Sequence, residues 1–311
     1  MLICTKLGNR VNKLHIDTCP LCGNKRFEKV MTCTDHYATN EPFDICRCMS
    51  CGFLFTQDVP DESEIGRYYE SPDYISHTDT RKGLANRLYH YVRQYMLRRK
   101  AHLIKRCCGL SRGRLLDIGT GTGYFPHFMS QRGWRISAIE KSPQARAFAR
   151  ERFGLEVDAP EALGGYEEKS FDVVTLWHVM EHLQHLNETW ERLYSLLDER
   201  GILVVAVPNP TSFDARYYKE RWAAYDVPRH LWHFAPAVMQ QFGAKHGFTL
   251  VERHPMPFDA FYVSMLSERY RNSGLPFVKG MFSGIEAGLA SAVKKERSSS
   301  MIYVFQKKVK A

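Results

Sequence analysis

From residue 113 onward, short apolar runs alternate with longer stretches in which apolar residues recur every three or four positions. The short runs are typical of buried strands, and the longer stretches are typical of helices packed on a sheet. The predicted strands are LLDIGT, RISAIE, LEVDA, FDVVTLW, GILVVAVP, FTLVERH and MIYVFQK. The predicted helices lie near residues 124–131, 143–152 and 186–197. This alternation predicts an α/β fold with a mostly parallel sheet and helices on both faces.

The N-terminal part has a different pattern, because two Cys-x-x-Cys pairs stand about 25 residues apart, each followed directly by glycine. The four cysteines are Cys19, Cys22, Cys48 and Cys51. Four thiolates from two tight turns form a closed tetrahedral site. We therefore predict a small zinc ribbon over residues 1–60, with a structural Zn²⁺ that leaves no position open for a substrate.

Residues 61–112 are predicted to form a bridging or lid segment that is polar and aromatic and leads into a basic helix. Its basic residues are Arg81, Lys82, Arg87, Arg93, Arg98, Arg99, Lys100, Lys105 and Arg106. Such a stripe binds RNA in some proteins and is merely solvated in others. The interleaved apolar residues fit the buried stripe of an amphipathic helix. They are Leu84, Leu88, Tyr89, Tyr91, Val92, Tyr95 and Leu103.

Residues 113–311 are predicted to form the main domain, with an insertion at about 254–300 before the last strand. This insertion contains several prolines and a glycine-rich helical stretch, and it is too long for a hairpin turn. The sequence leaves open whether it covers a substrate, mediates dimerisation or lies on a membrane. The oligomeric state is not predicted.

Composition and charge narrow the class of protein. The 311 residues include 43 Lys and Arg against 34 Asp and Glu, a net charge of +9. No apolar run approaches the ~18 residues that span a bilayer, and the first residues lack the apolar core of a signal peptide. Nine cysteines, most of them near the N-terminus, indicate metal binding in a reducing compartment. We expect a cytoplasmic protein with no membrane span.

The stretch at residues 115–125, LLDIGTGTGYF, joins a buried-strand pattern to a glycine-dense turn before a helix. Glycines at such a turn let the backbone bend tightly and approach a ligand closely. About twenty residues later the next predicted strand ends in Glu140, where a carboxylate can accept hydrogen bonds from both hydroxyls of a ribose. These features predict a cofactor that contains a ribose.

Two details distinguish this cofactor from a dinucleotide. Tyr124 stands where the third glycine of a dinucleotide motif is expected. Asp117, just before the turn, suits the ammonium of an amino-acid group better than a pyrophosphate. Together with DIGTGTG and Glu140, the run FDVVTLWHVMEHL resembles the motifs of class I S-adenosylmethionine-dependent methyltransferases. The likeness covers about residues 113–210, and the last two strands resemble the closing hairpin of that family.

This resemblance implies a Rossmann-like seven-stranded sheet, S-adenosylmethionine as cofactor and a set of residues that hold it. The implied cofactor-binding residues are Asp117, Gly119, Gly121, Gly123, Glu140, Asp158, Ala159 and Trp177. The double cysteine pair joined to such a domain further resembles zinc-ribbon methyltransferases of bacteria, some of which methylate sugars at carbon.

His178, directly after the fourth predicted strand, is the first candidate for a catalytic base, because it would lie beside the cofactor and the substrate. With Glu181 and His182 it also forms H-x-x-E-H, a metalloprotease pattern when both histidines share a helix face. The methyltransferase resemblance accounts for the same letters. For Glu181 and His182, packing and capping of a helix start is the competing interpretation.

The aromatic loop, residues 222–234, follows the fifth predicted strand, where substrate loops of α/β sheets commonly lie. Its side chains suggest a site: His230 and His233 as candidate bases, and Tyr225, Asp226 and Arg229 as candidate substrate contacts, with Arg229 clamping an acidic group. The same residues would also suit a packed loop in which Arg229 and Asp226 simply pair.

The sequence therefore predicts a methyltransferase that acts on a small metabolite, such as a sugar or another biosynthetic intermediate. The acceptor atom, C, O or N, is not specified. One alternative is an RNA methyltransferase that binds RNA through the zinc ribbon and the basic helix. A second alternative is a cofactor-binding scaffold without turnover.

Overall fold

The computed structural model describes residues 12–69 and 84–308, apart from the side chains of residues 84–89. Much of the predicted bridging segment, residues 70–83 with Arg81 and Lys82, therefore lies outside the described residues.

The described residues form strands and helices in the following order. The strands are β1 (Lys13–Leu14), β2 (Phe27–Thr34), β3 (Pro42–Cys48), β4 (Leu54–Thr56), β5 (Val59–Pro60), β6 (Arg114–Ile118), β7 (Arg135–Ile139), β8 (Phe171–Trp177), β9 (Leu197–Pro208), β10 (Trp232–His233), β11 (Phe248–Pro255) and β12 (Ser300–Lys307). The helices are α1 (Leu84–Cys108), α2 (Tyr124–Ser130), α3 (Pro143–Phe153), α4 (Leu186–Leu196), α5 (Phe213–Tyr218), α6 (Pro236–Lys245), α7 (Asp259–Tyr270) and α8 (Pro276–Val293).

The main sheet has the strand order β11-β12-β9-β8-β6-β7. The four neighbouring strands β9, β8, β6 and β7 run parallel to one another, while β12 runs antiparallel to both of its neighbours, β11 and β9. The predicted α/β fold with a mostly parallel sheet is therefore confirmed. Parallel strands end at the same edge of the sheet, so the residues after β6, β7 and β8 are brought together there.

The sheet has six strands within the described residues, so the prediction of seven was wrong. The predicted strand LEVDA makes only one bridge, between Asp158 and Ile139. A short 3₁₀ helix begins two residues later at Pro160. Proline lacks the N–H that a ladder requires, so the strand cannot continue.

Helices cover both faces of this sheet because apolar side chains point alternately to either side of β6. Leu116 and Ile118 belong to one buried cluster, together with residues of α4 and α6 such as Trp190 and Phe242. Leu115 belongs to the opposite cluster, with residues of α1 and α2. Burial on both faces explains why the strands read as nearly continuous apolar runs.

A second, antiparallel sheet has the order β10-β4-β3-β2. Three of its strands come from the N-terminal residues, but the fourth is donated from the aromatic loop, with Trp232 opposite Phe55 and His233 opposite Leu54. The division into three segments stays a prediction, and β10 ties the first segment to the third.

The predicted basic helix is α1, but its buried face differs from the predicted stripe. Tyr91 is 71% exposed and Tyr95 is 42% exposed. The helix instead buries Leu97, Leu103 and Ile104. Their spacing places these residues on a different face of the helix from the two tyrosines. The predicted stripe members in residues 84–89 have no described side chains.

The insertion before β12 contains α7 and α8, which pack closely through small residues. A Cβ at Gly280 would lie 2.6 Å from Cα of Met265, and one at Gly284 would lie 2.6 Å from Cδ1 of Phe261. The other side of α8 is apolar and exposed at Phe277, Val278, Phe282, Ile285, Leu289 and Val293. No helix among the described residues is long and apolar enough to cross a membrane.

Candidate active site

The turn between β6 and α2 holds its three glycines in the left-handed region, with φ of +69° at Gly119, +56° at Gly121 and +83° at Gly123. A Cβ at Gly119 would lie 2.3 Å from Cγ2 of Val179, and one at Gly123 would lie 2.9 Å from Cβ of Ala149. Packing therefore requires these two glycines. Gly121 differs, because a Cβ there would meet no described atom within 4 Å. Open space above Gly121 leaves room for a ligand against the backbone.

Glu140 follows β7 and turns back to this glycine turn. Its Oε2 accepts the N–H of Gly121 at 2.8 Å, and its Oε1 accepts the N–H of Ser142 at 2.8 Å. These two bonds fix the carboxylate beside the open side of the turn. The geometry fits the predicted ribose contact, which stays a prediction.

Asp117, the last but one residue of strand β6, is 1% exposed and accepts a 2.5 Å hydrogen bond from the hydroxyl of Thr175. Burial raises the pKa of Asp117 to about 6, although the hydrogen bond from Thr175 opposes the shift. The carboxylate is therefore ionised at neutral pH but close to its titration range. A cationic group of a ligand would stabilise the ionised form.

Asp158 lies next to Glu140 at the same edge, because the N–H of Glu140 donates to the carbonyl of Asp158 at 2.9 Å. The Asp158 carboxylate is occupied by the hydroxyl of Tyr166 at 2.7 Å. Ala159 follows directly and is half-buried. The structure thus places this predicted adenine contact beside the predicted ribose contact, and the contact itself stays a prediction.

Trp177, at the carboxyl end of β8, packs its ring edge-to-face on Phe125 with centroids 5.5 Å apart. Nζ of Lys100, from α1, lies 4.0 Å from the centroid of the Trp177 ring. Burial lowers the pKa of Lys100 to about 8, while the charges of Asp117 and Asp259 act in the opposite direction. This ammonium therefore stands near the predicted cofactor site, at the edge where Asp117 lies.

Lys100 was not among the predicted site residues, because it was only one of nine basic residues on its segment. One signal was available in the sequence. Lys100 is three residues after Leu97 and four before Ile104, which puts it on the buried face of α1. A lysine on the buried side of a helix has to reach a partner.

His178 follows β8 with φ of +57°, a left-handed conformation that is rare for residues other than glycine. Its Nε2 lies 3.1 Å from Oδ2 of Asp259, and its Nδ1 lies 3.4 Å from Oε1 of Glu181. Burial alone would lower the pKa of His178, but the two carboxylates outweigh it and raise the pKa to about 10.

The general-base role predicted for His178 stays a prediction. Both nitrogens of the imidazole face carboxylates, an arrangement that favours the charged form of His178 over a free base. Asp259, which fixes His178, comes from the first turn of α7 in the insertion. Nothing in the sequence pattern singled out this aspartate.

The metalloprotease pattern is not formed. Residues Met180–His182 make a short 3₁₀ turn, and His178 precedes it in the left-handed conformation. The two histidines of H-x-x-E-H therefore do not lie on one face of an α-helix, as that pattern requires.

The aromatic loop is buried rather than open to a substrate. His233 is 4% exposed and lies in β10, where its Nε2 is 3.0 Å from the hydroxyl of Thr56. Burial lowers the pKa of His233 to about 3. Tyr225 is 4% exposed and packs edge-to-face on His233, with centroids 5.2 Å apart. Both residues join the N-terminal sheet to the main domain and neither is open to solvent. Their catalytic and substrate roles stay predictions.

Arg229, the predicted clamp for an acidic substrate, is fully engaged within the protein. Its guanidinium donates to Asp226 at 2.6 and 3.0 Å, to Asp35 at 3.0 Å and to the carbonyl of Tyr68 at 2.7 Å. Burial by itself lowers the pKa of Arg229, but the charges of Asp226 and Asp35 raise it above its ordinary value. Arg229 therefore binds Asp226 and the N-terminal segment, as the packed-loop interpretation expects. The substrate contacts of Arg229 and Asp226 stay predictions.

His230, the third candidate base, lies against His182 with ring centroids 4.5 Å apart. Its Nδ1 is 2.9 Å from the carbonyl oxygen of Ala224. The structure brings His230 close to the residues after β8, in contrast to His233.

The four predicted zinc ligands come together. Sγ of Cys19 lies 3.6 Å from Sγ of Cys51, Sγ of Cys22 lies 3.5 Å from Sγ of Cys48, and all four sulfurs lie within 4.8 Å of one another. A tetrahedron with Zn–S bonds of about 2.3 Å has S···S edges of about 3.8 Å. The sulfur positions therefore fit Zn²⁺, and the set of four leaves no position for a substrate.

Comparison with known proteins agrees with this fold. The sequence model of the family described as "Methyltransferase domain" matches residues 90–253, more than half of the chain. The chain therefore belongs to this methyltransferase family. The predicted class, an S-adenosylmethionine-dependent methyltransferase, is confirmed, and S-adenosylmethionine is the cofactor of that class.

Curated relatives match part of the chain. A ubiquinone biosynthesis O-methyltransferase of Azoarcus sp. (strain BH72) is 36% identical over 89 residues, 26% of this chain and 38% of that protein. An uncharacterized methyltransferase of Staphylococcus carnosus is 24% identical over 128 residues, 40% of this chain and 60% of that protein. The chain thus spans less than two thirds of the length of these relatives.

Among solved structures, 1,6-didemethyltoxoflavin-N1-methyltransferase of Burkholderia thailandensis has a TM-score of 0.48 and 15% sequence identity to this chain. The match covers 85% of this chain and 99% of that one.

Proposed function

We propose that this protein transfers a methyl group from S-adenosylmethionine to a small-molecule acceptor at the carboxyl edge of the main sheet. The observation that carries the proposal is the open turn at Gly121, flanked by the carboxylates of Asp117 and Glu140. When bound, S-adenosylmethionine supplies a methyl group activated by a positively charged sulfur.

The amino-acid end of the cofactor carries an ammonium and a carboxylate, and the site offers one group of opposite charge for each. Asp117 would form an ion pair with the ammonium. Lys100, whose Nζ lies against the ring of Trp177, would form an ion pair with the carboxylate. Glu140 would accept the ribose hydroxyls beside Gly121. Holding the reacting groups in line accounts for most of what such an enzyme must do.

The acceptor side of the site consists of Trp177, His178 and Asp259. The side chain of His178 is 35% exposed and that of Asp259 is 24% exposed, so both reach the surface of the site. The pair is charged and fixed by its own ion pair, so it would orient a polar acceptor group. The insertion, through Asp259 of α7, therefore forms one wall of the proposed acceptor site.

The acceptor we propose is a hydroxylated small metabolite, a sugar or another biosynthetic intermediate. Relatives named as ubiquinone biosynthesis O-methyltransferases support oxygen as the methylated atom. A cytoplasmic location is part of this proposal, because a reducing compartment keeps four thiolates available for zinc.

Calorimetric titration with S-adenosylmethionine tests the cofactor site. Asp117→Asn and Glu140→Gln should each weaken binding about 10- to 100-fold, since hydrogen bonds to charged groups contribute about 1.5–3 kcal/mol. Lys100→Met should weaken it as well, whereas Lys105→Met, which changes an exposed lysine of the same helix, is the matched control. Unchanged affinity in the first two variants would rule out the proposed site.

The acceptor is tested by release of S-adenosylhomocysteine in the presence of phenolic intermediates, nucleotide sugars and RNA. The proposal expects turnover with a small hydroxylated compound and loss of that turnover in Asp259→Asn. Turnover with RNA alone, together with RNA retention that falls steeply as salt increases, would favour the RNA alternative instead.

A further inference from the structure

We propose that Glu181, His182 and His230 bind a divalent transition-metal ion, at a site separate from the four cysteines. Each of these residues offers one ligand atom, and the three atoms lie within 4.8 Å of one another. Two imidazoles and one carboxylate are a set that borderline ions such as Zn²⁺, Mn²⁺ and Fe²⁺ accept. The inference does not depend on the proposed function.

The two imidazoles are oriented as metal-binding histidines are. Nδ1 of His182 lies 3.0 Å from the carbonyl oxygen of Arg229, and Nδ1 of His230 lies 2.9 Å from that of Ala224. A carbonyl oxygen can only accept, so each Nδ1 carries the proton. Both Nε2 atoms then keep a free lone pair, the arrangement that second-shell carbonyls impose on metal ligands.

Glu181 supplies an independent observation. It is 1% exposed, and neither carboxylate oxygen accepts a hydrogen bond from the described residues. The imidazole of His178 is a neighbouring cation, 3.4 Å from Oε1. Oxygens buried without hydrogen bonds are costly to maintain. A metal ion at Oε2 would satisfy the carboxylate.

The ligands are held in place by the backbone. Glu181 and His182 belong to the 3₁₀ turn after β8, while His230 comes from the aromatic loop. The N–H of Leu231 donates to the carbonyl of Glu181 at 2.8 Å, which joins the two segments next to the ligands. The site is therefore built before any ion binds.

Other groups around the cluster are compatible with a cation. Oδ2 of Asp226 lies 3.7 Å from Nε2 of His230, and the hydroxyl of Tyr69 lies 3.2 Å from Nδ1 of His182. Arg229 contributes only its carbonyl, because its guanidinium is bound to Asp226 and Asp35. Three protein ligands leave coordination positions free for water or another oxygen ligand.

Metal analysis of the full chain tests the inference. Protein with one Zn²⁺ per chain in the cysteine site is titrated with Zn²⁺ and, separately, with Mn²⁺ by calorimetry. We expect one further saturable equivalent for at least one of the two ions. Glu181→Gln and His230→Gln should both lose this equivalent while the first Zn²⁺ stays bound.

His233→Gln is the matched control, because it changes a buried imidazole of the same loop that lies outside the cluster. It should keep the second equivalent. Co²⁺ added to the Zn²⁺-loaded native protein gives a second measurement that needs no variant, since a site without sulfur shows d–d bands without thiolate charge-transfer absorption. Absence of a second equivalent and of these bands in the native protein would overturn the inference, and so would a second equivalent that survives in both cluster variants.

Discussion

The glycine turn after β6 and the aromatic loop both drew attention in the sequence as dense, unusual stretches, but the structure uses them in opposite ways. At the turn, the carboxylate of Glu140 accepts the N–H of Gly121 and so lies beside the space that Gly121 leaves open, and Asp117 stands at the end of the preceding strand. The loop directs Arg229, Asp226 and His233 inward, where the protein itself supplies their partners. Density of charged and aromatic residues therefore indicates a site only when some groups remain available to a ligand.

The loop also explains how the molecule is held together. The guanidinium of Arg229, in this loop, donates hydrogen bonds to Asp35 and to the carbonyl of Tyr68 in the N-terminal segment. Strand β10, also in the loop, extends the N-terminal sheet. The residues that looked like a substrate clamp thus connect two parts of the chain. The following predictions test this contrast, from the largest expected effect to the smallest.

Arg229→Met should lower the free energy of unfolding by about 3–5 kcal/mol, because it leaves the buried carboxylate of Asp35 and the half-buried carboxylate of Asp226 without their cation. Urea denaturation measures the change. Arg221→Met, at an exposed arginine near the same loop, serves as the control and should change stability little. If the Arg229→Met protein is as stable as the native protein but binds the acceptor more weakly, Arg229 acts as a substrate clamp.

Gly119→Ala should lower the free energy of unfolding by about 2–4 kcal/mol, since alanine must adopt positive φ there and its Cβ overlaps Val179. In Gly121→Ala, alanine must also adopt positive φ, but its Cβ overlaps no described atom. This variant should therefore lower the free energy of unfolding by only about 1–2 kcal/mol. Cofactor titration then separates the two positions. At Gly121 the new methyl group should obstruct the ligand, and full cofactor affinity in a folded Gly121→Ala protein would contradict the open-turn assignment.

Affinity for S-adenosylmethionine should depend on pH through Asp117. Below its pKa of about 6 the carboxyl group is neutral and cannot pair with an ammonium. Affinity should therefore be full above that pH and fall by up to about tenfold per pH unit as the pH is lowered further. Calorimetry across pH 5 to 8 measures this, and the dependence should flatten in Asp117→Asn. An equally steep dependence in that variant would assign the titration to another group.

His233→Gln should have the smallest effect, a loss of about 1 kcal/mol of stability through its hydrogen bond to Thr56, with unchanged turnover. Steady-state rates of methyl transfer provide the comparison with the native protein. A strong loss of turnover without loss of stability would show that the loop takes part in catalysis.

Much of the fold could be predicted because the apolar periods of strands and helices are local properties of the sequence. The strand positions of the main sheet follow from apolar runs such as that of β8, and the glycine turn follows from spacing alone. The prediction of a seventh strand was wrong because Pro160 ends the segment LEVDA after a single bridge. The exposure of Tyr91 could not be predicted, since which face of α1 is buried depends on the sheet that it meets.

The candidate site was predicted in part for the same reason. Asp117, the glycines and Glu140 lie at the ends of consecutive strands, and the parallel topology alone brings them together. Asp259 and Lys100 come from an insertion and from a preceding helix, so only the tertiary structure places them at this edge. The partners of His178 and Arg229 could not be predicted, because Asp259 and Asp35 are distant from them in sequence.

The donation of β10 to the N-terminal sheet sets an order of events during synthesis of the chain. The four cysteines emerge from the ribosome early and can take up zinc, but the sheet beside them lacks its last strand until residues 232–233 have been made. Until then the edge of β4 is unpaired, and an unpaired strand edge can add a strand from another chain. A chain that ends before the aromatic loop would therefore hold zinc in its cysteine site but leave the edge of β4 exposed and unpaired. We expect such fragments to aggregate.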